Sequence, residues 1–350
     1  MKKKKVAVLH AQVPFVRGGA ELMVENLTLQ LKKRGFDAEI ISMPFKWYPN
    51  NVLLDACLAW RMADITESNG EKIDLVIATK APTFLARHPN KVTWLMHQHR
   101  VAYDLRDNVP AGGFNVIPDG RRMMKLIREM DNIAIPESKA VYSISKTVTD
   151  RLKHYNGLDA TTLYHPPALE GRYYCEKMED YILSVGRLDP NKRVDIMIRA
   201  LQHCDKQIKV MIAGRGAEMD RLQKLAVELG VEKRVQFLGF VPDDDLLGLY
   251  ANALGVCFTP IDEDYGYITL EAFLSKKPIL TCHDSGGVLE FAKQNESAFI
   301  TDTSPEEMGA SFNRLYHNKK MAQEMGLAGY NTVKDISWDN VIDELTKTIR

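Results

Sequence analysis

The chain has 350 residues, 45% of them apolar and 26% charged, and its lysines and arginines balance its aspartates and glutamates to a formal net charge of zero. That length predicts two domains, each able to bury a core of its own. The neutral balance argues against a general nucleic-acid partner and leaves room only for local basic patches.

Lys2, Lys3, Lys4 and Lys5 read as a solvated lead-in to the first strand, with attraction to anionic lipid headgroups as the alternative. The apolar run that follows, 6–10, is too short for a signal segment, and no stretch approaches the roughly 18 apolar residues of a membrane span. Short β-rich runs then alternate with amphipathic stretches, the pattern of βαβ units that build a parallel sheet. Residues 6–10 read as a strand; Leu22, Val24, Leu27, Leu29 and Leu31 place a helix over 19–33 that ends at Arg34-Gly35. Strands are predicted at 38–42, 74–78 and 92–96, the last delivering His97-Gln98-His99 at its end. A helix over about 121–130 precedes a strand at 140–144, and Ser145 has the character of an N-cap for a helix to about His154.

The pattern breaks at His165-Pro166-Pro167-Ala168-Leu169-Glu170-Gly171, where two prolines and a glycine suit an interdomain connection. It restarts at 181–186 and continues with strands at 209–213, 234–238, 254–259 and 278–281, with helices between them. Two doubly wound α/β domains follow from this, with strand carboxyl ends expected on a common cleft. The cysteines Cys57, Cys175, Cys204, Cys257 and Cys282 are scattered with no CxxC pair, which fits a reducing, cytoplasmic setting.

Chemistry concentrates after the strands of the second half. Gly186-Arg187-Leu188-Asp189-Pro190-Asn191-Lys192-Arg193 follows the first of them, and Arg187 with Lys192 could clamp a diphosphate, one through a planar fork and the other as a point charge. A polar loop with surface cations is the plainer alternative. Glu263 and Glu271 stand eight positions apart in Ile261-Asp262-Glu263-Asp264-Tyr265-Gly266-Tyr267-Ile268-Thr269-Leu270-Glu271, across a turn that opens a helix at 268–276. Helix-terminal N–H groups attract phosphate and carboxylates accept hydroxyl hydrogens, so both glutamates are expected to face one crevice holding a polyhydroxylated, phosphorylated ligand.

Other motifs are more equivocal. Gly18-Gly19 opens the first helix and lets backbone approach a ligand, or is only a tight turn. His97 and His99 form an H-x-H without a partner cluster for metal; a histidine orienting a reacting hydroxyl, or a structural one, suits them better. Asp262-Glu263-Asp264 matches a D-x-D metal motif, but Arg187 and Lys192 can neutralise a diphosphate without metal. Gly214-Arg215-Gly216 lacks the third glycine of a dinucleotide fingerprint, and no G-x-x-x-x-G-K-[ST] occurs. Ser285-Gly286-Gly287 either lines the cleft or is a turn that packing requires.

Ser184-Val185-Gly186-Arg187-Leu188 with Lys192, the spaced glutamates and Gly18-Gly19 together resemble the retaining glycosyltransferases of family 4, whose GT-B architecture pairs two Rossmann-like domains. The resemblance covers nearly the whole chain and is strongest over 181–301. It implies an N-terminal acceptor-binding domain over 1–168, a nucleotide-sugar-binding domain over 169–335, and a helix over about 336–350, including Ser337-Trp338-Asp339, that packs back on the first. Implied roles are Glu263 on the donor sugar, Glu271 on the ribose, and Arg187 and Lys192 on the diphosphate, aided by Gly18, Gly19 and the backbone of Gly266, Tyr267, Ile268 and Thr269. The base would lie against Gly239-Phe240-Val241, and His97 near sugar and acceptor. The sequence departs from the family at Asp264-Tyr265-Gly266, where Gly-Phe-Gly is common.

The expected function is transfer of a glycosyl group, with retention and without metal or other cofactor, from a nucleoside diphosphate sugar to a hydroxyl of a glycan or lipid-linked acceptor. A sugar-nucleotide epimerase on the same fold and a non-catalytic nucleotide-sugar-binding protein are the alternatives. The segment Phe45-Lys46-Trp47-Tyr48-Pro49-Asn50-Asn51 and the basic run Arg121, Arg122, Lys125, Arg128 read as a solvated face, or as a peripheral contact with a membrane.

Overall fold

A computed structural model describes residues 2–46, 48, 51–104, 114 and 118–350. Trp47, Pro49 and Asn50, singled out in the sequence, lie outside the described residues. The chain divides into two compact units, unit 1 (Met1–Ala168 with Ser337–Arg350) and unit 2 (Leu169–Ile336).

Unit 1 runs β1 (Lys5–Gln12), α1 (Gly19–Lys33), β2 (Asp37–Pro44), α2 (Asn51–Met62), β3 (Glu67–Ser68), β4 (Glu71–Lys72), β5 (Leu75–Ala78), β6 (Lys91–Leu95), α3 (Gly120–Ala134), β7 (Ala140–Ser143), α4 (Lys146–Asn156) and β8 (Thr161–Thr162). Its main sheet has the order β2-β1-β5-β6-β7-β8, every pairing parallel, while β3 and β4 form a small antiparallel ladder. Val6, Ala7, Val8 and Leu9 of β1 are all buried, as expected of a central parallel strand covered on both faces. On α1 the buried side chains Met23, Val24, Leu27 and Leu31 form one helical stripe, and Gly35 at φ +91° lets the chain turn away. The Ser145 hydroxyl accepts the Val148 N–H at 3.1 Å and so caps α4, which ends at Gly157 with φ +66°.

Unit 2 runs β9 (Tyr181–Val185), α5 (Val194–Ala200), β10 (Lys209–Ala213), α6 (Met219–Glu228), β11 (Val235–Gly239), α7 (Asp243–Asn252), β12 (Gly255–Cys257), α8 (Tyr267–Leu274), β13 (Ile279–Cys282), β14 (Ala298–Thr301), α9 (Pro305–His317) and α10 (Lys319–Val333). The strands pair in parallel in the order β11-β10-β9-β12-β13-β14. Ile182, Val210, Ile212, Leu254, Phe299 and Phe312 belong to the core packed around that sheet.

The last helix, α11 (Trp338–Thr346), returns to unit 1. Trp338 packs its ring 6.3 Å from Trp94 and 5.8 Å from His165, Arg34 pairs with Asp339, and the Tyr142 hydroxyl donates to Glu344. Among the described residues no helix is long and apolar enough to cross a membrane.

Each sheet reverses its strand order once, between β1 and β5 in unit 1 and between β9 and β12 in unit 2. Loops leaving the carboxyl ends of the strands at such a reversal diverge and open a crevice where ligands bind.

Candidate functional site

In unit 2 the loops after β9 and β12 are knitted together at the reversal. The Asn191 carbonyl accepts the Ile261 N–H at 2.8 Å, and the Thr259 hydroxyl donates to Arg193 O at 3.2 Å. Lys192, on a 3-10 turn at Pro190–Lys192, forms an ion pair with Glu263, and its ammonium lies 5.5 Å from the Phe258 ring centroid, within cation–π range. Arg187 is exposed and sits 3.2 Å from Asp189.

Arg193, which drew no weight beside Lys192 in the sequence, turns out to be the stitch of this site. Its guanidinium donates to Thr259 O at 2.8 Å and Pro260 O at 2.9 Å, and it grips Asp284 in a bidentate pair at 2.7 and 2.5 Å. The Asp284 carboxyl is held below its usual range by that hydrogen bonding. Three loops are thereby fixed by one planar side chain, a task suited to arginine and not to lysine.

The glycine motifs resolve into packing. A Cβ on Gly214, whose φ is +152°, would stand 1.8 Å from the Gly186 carbonyl oxygen, and one on Gly216 would stand 2.3 Å from Leu188 O. Gly214-x-Gly216 thus lets two βα loops touch, with Leu188 N donating to Arg215 O at 2.9 Å. Gly286 and Gly287 similarly pass against the backbone of Glu263 and Asp264, where a Cβ would come within 2.6 and 2.7 Å. Ser285-Gly286-Gly287 is therefore the turn that packing requires, and it supports Glu263 through the Glu263 N to Ser285 O and Gly287 N to Glu263 O bonds.

Gly266, at φ +76°, is the N-cap of α8. In the departure at Asp264-Tyr265-Gly266, Asp264 is not among the residues with positive φ; that conformation falls on Asp262, at φ +43°. Tyr265 is buried with its ring edge-on to Tyr267 and Phe291, so it fills the place of an apolar aromatic. Among the α8 residues, Thr269 is fully buried and its N–H donates to Gly266 O, while the first-turn amides of Tyr267 and Ile268 point along the helix axis toward its start. At the end of β11, Gly239 takes φ +66°, Phe240 is 70% exposed and Val241 half-buried.

Glu271, on α8, is half-buried like Glu263. Its carboxylate accepts the Tyr250 hydroxyl at 2.7 Å and is also hydrogen-bonded by Tyr173; burial raises its carboxyl above the usual range while these two hydrogen bonds oppose that rise. Glu263 sits in the loop with Lys192, and Glu271 sits on α8 against two tyrosines.

In unit 1, Gly18 caps α1 in an extended conformation, and its N–H donates to the Glu21 carboxylate at 2.8 Å. His97 follows β6 with Nδ1–H directed to the Gln98 carbonyl at 2.7 Å; a carbonyl only accepts, so Nδ1 carries the proton. Buried Gln98 is anchored in turn by its amide donating to Asn156 at 2.8 Å. Burial pushes the neighbouring His99 down to about 4, which keeps it neutral near pH 7. Arg128, counted in the basic run, turns inward to Ala102 O and the face of Tyr103, leaving Arg121 and Arg122 exposed on α3.

Comparison with known proteins follows this division. Residues 174–332 match the family model described as Glycosyl transferases group 1. An uncharacterized glycosyltransferase of Methanocaldococcus jannaschii is 29% identical over 248 residues, which span 63% of this chain and 62% of that one. The alpha-1,3/1,6-mannosyltransferase ALG2 of Mus musculus is 23% identical over 94% of this chain and 92% of its own. Among solved structures, Anabaena HepE in complex with UDP and glucose superposes with a TM-score of 0.71 over 99% of both chains at 17% identity, a likeness of fold.

Proposed function

We propose that the chain is a glycosyltransferase of group 1 with the GT-B fold, a reading that the family match, the relatives and the structural likeness support, and that unit 2 binds a nucleoside diphosphate sugar. The glycosyl group then passes, with retention and without a metal ion, to an acceptor hydroxyl. The observation that carries this reading is the ion pair of Lys192 and Glu263 at the reversal point of the unit 2 sheet. Without ligand the two charges neutralise each other. A bound donor would give Lys192 a diphosphate oxygen and leave Glu263 to accept sugar hydroxyls, so one loop contact is exchanged for two ligand contacts.

Arg187 would join the diphosphate from its exposed position, the α8 amides of Tyr267 and Ile268 would face it, and Phe240 and Val241 would flank the base. Glu271, oriented by Tyr250 and Tyr173, would meet the ribose with its remaining lone pairs. As the bond from the anomeric carbon to the phosphate oxygen breaks, negative charge grows on the diphosphate, and prepositioned cations stabilise that state more than the ground state. The acceptor oxygen forms the new bond to the same carbon, and its proton passes to the departing phosphate oxygen. His97 would orient that hydroxyl. HepE, a neighbour in fold, is described in complexes with UDP and with UDP-glucose, which supports a nucleotide-sugar ligand here. The relatives compared are named glycosyltransferases, which does not favour an epimerase or a non-catalytic binder.

For the acceptor, a groove of about 730 Å³ at the ends of β1 and β2 is lined by Val13, Pro14, Phe15, Phe45, Val52 and Ala56. Phe15 stands fully exposed at φ +63°, a strained conformation for an aromatic residue, and this favours an acceptor with an apolar portion. The test is a thermal-shift screen of UDP, GDP, ADP and their sugars, followed by transfer to acceptors offered with and without a hydrocarbon tail. At least one nucleotide sugar should raise the melting temperature. Lys192→Ala should then reduce turnover on the order of 10²- to 10³-fold and Arg187→Ala about tenfold. Unchanged turnover in both variants would sink the assignment.

A further inference from the structure

Beneath the reversal point of the unit 1 sheet lies a cluster that the chemistry above leaves unused. His10 is near the end of β1, Glu21 in the first turn of α1, and Lys80 two residues beyond β5; each is less than a tenth exposed. Glu21 Oε1 lies 3.4 Å from Lys80 Nζ and 3.4 Å from His10 Nε2, and neither ring nitrogen of His10 makes an aligned hydrogen bond. Glu21 Oε2 accepts the Gly18 N–H at 2.8 Å.

The far side of the pair leads elsewhere. Lys80 O accepts both the N–H and the hydroxyl of Thr83, at 2.8 and 2.7 Å, and Thr79 O accepts Met96 N–H at 2.9 Å. The next amide, Ala81 N–H, donates to His97 O at 3.3 Å. The Gly18 amide is therefore tied to the His97 backbone through Glu21, the side chain and main chain of Lys80, and the Ala81 amide.

Burying two charges is a poor way to stabilise a fold, since apolar residues of similar volume often serve as well or better. What the pair provides is direction: two adjacent glycines give the loop before α1 a backbone that many conformations suit, and a buried carboxylate selects one of them. We propose that Glu21 and Lys80 are positioning residues, a strut that holds the Gly18-Gly19 backbone and His97 in one fixed relation, with His10 packed beneath it. The functional meaning of the strut rests on the reading of Gly18, Gly19 and His97 as ligand-contacting groups.

Hydrogen exchange on the full chain without ligand tests it directly, alongside nucleoside diphosphate release from UDP-, GDP- or ADP-sugars, whichever the thermal-shift screen selects. The double variant Glu21→Gln/Lys80→Met removes both charges and leaves no buried charge unpaired. It should keep cooperative unfolding, speed exchange about tenfold or more in segments 13–22 and 96–99 together, and lower kcat for nucleoside diphosphate release about tenfold with KM little changed. Lys80→Arg, which keeps a cation opposite Glu21, should retain protection in both segments. Glu21→Asp keeps the charge, shortens the reach to Gly18 and gives a second decision should the double variant not fold; it too should loosen both segments. Unchanged protection, or loosening confined to one segment, overturns the strut. Absence of nucleoside diphosphate release by the wild-type protein from UDP-, GDP- and ADP-sugars alike would count against the transfer reading instead, and the exchange data would still decide the coupling.

Discussion

Each unit places a lysine and a glutamate where its strand order reverses, yet the two pairs live in different surroundings. The side chains of Lys192 and Glu263 in unit 2 are 16% and 25% exposed; those of Lys80 and Glu21 in unit 1 are 9% and 10% exposed. Water can replace either partner of the first pair, so a ligand can separate it at modest cost. Nothing comparable replaces the second, so separating it strands a charge in the interior. The same chemical pair is thus an exchangeable contact in one unit and a fixed joint in the other, and burial, not residue type, makes the difference.

That contrast can be broken most forcefully by matched lysine substitutions. Lys80→Met should cost about 3–5 kcal/mol of stability by leaving Glu21 buried and unpaired, whereas Lys192→Met should cost less than about 1 kcal/mol. Denaturant titration of the two variants measures both, and equal losses would erase the distinction.

Acid titration sharpens it further. Burial opposes the Glu21 carboxylate, but the nearby His10 imidazole, the Lys80 charge and the Gly18 amide together draw its carboxyl from 4.5 to about 2. A carboxyl held low in the folded state lends stability above its unfolded value, and that stability is lost as pH falls toward the folded value. The expected contribution is about 3 kcal/mol, disappearing between roughly pH 4.5 and 2. Glu21→Gln should flatten the stability profile across that window, and an unaltered slope would contradict the buried pairing. The smallest effect concerns the ligand side of unit 2: Phe240→Ala should weaken nucleotide binding about tenfold, the worth of one stacked base, with melting temperature unchanged. Calorimetric titration with the nucleotide identified by the screen reads it.

How much of this was legible in the sequence depended on range. All but the edge strands β8 and β14 of the two sheets, the capped helix at Ser145 and the break near Pro166-Pro167 follow from periodicity and local turn chemistry, which act over a few residues. The loops holding Arg187, Lys192 and Glu263 were legible because charged residues directly follow apolar strand runs. By contrast, α2 and the short ladder of β3 and β4 were missed, the first because its aromatic lead-in reads as a loop, the second because two-residue strands carry no period. Lys80 and Glu21 are separated by 59 positions and embedded in ordinary helix and turn contexts, so only the parallel pairing of β1 with β5 brings them together. Likewise the two tyrosines on Glu271 and the triple grip of Arg193 arise from contacts between distant loops, and the packing role of Gly214-x-Gly216 is invisible until the loop it touches is known.

The return of α11 to unit 1 gives the two units different histories during synthesis. Unit 2 is one uninterrupted stretch and can close its core once residue 336 has emerged. Unit 1 begins first, but its indole and imidazole at Trp94 and His165 stay uncovered until Trp338 leaves the ribosome. Birth order and completion order are therefore opposite, and for the time it takes to translate the whole of unit 2 the earlier-born unit carries an aromatic surface that a chaperone could shield.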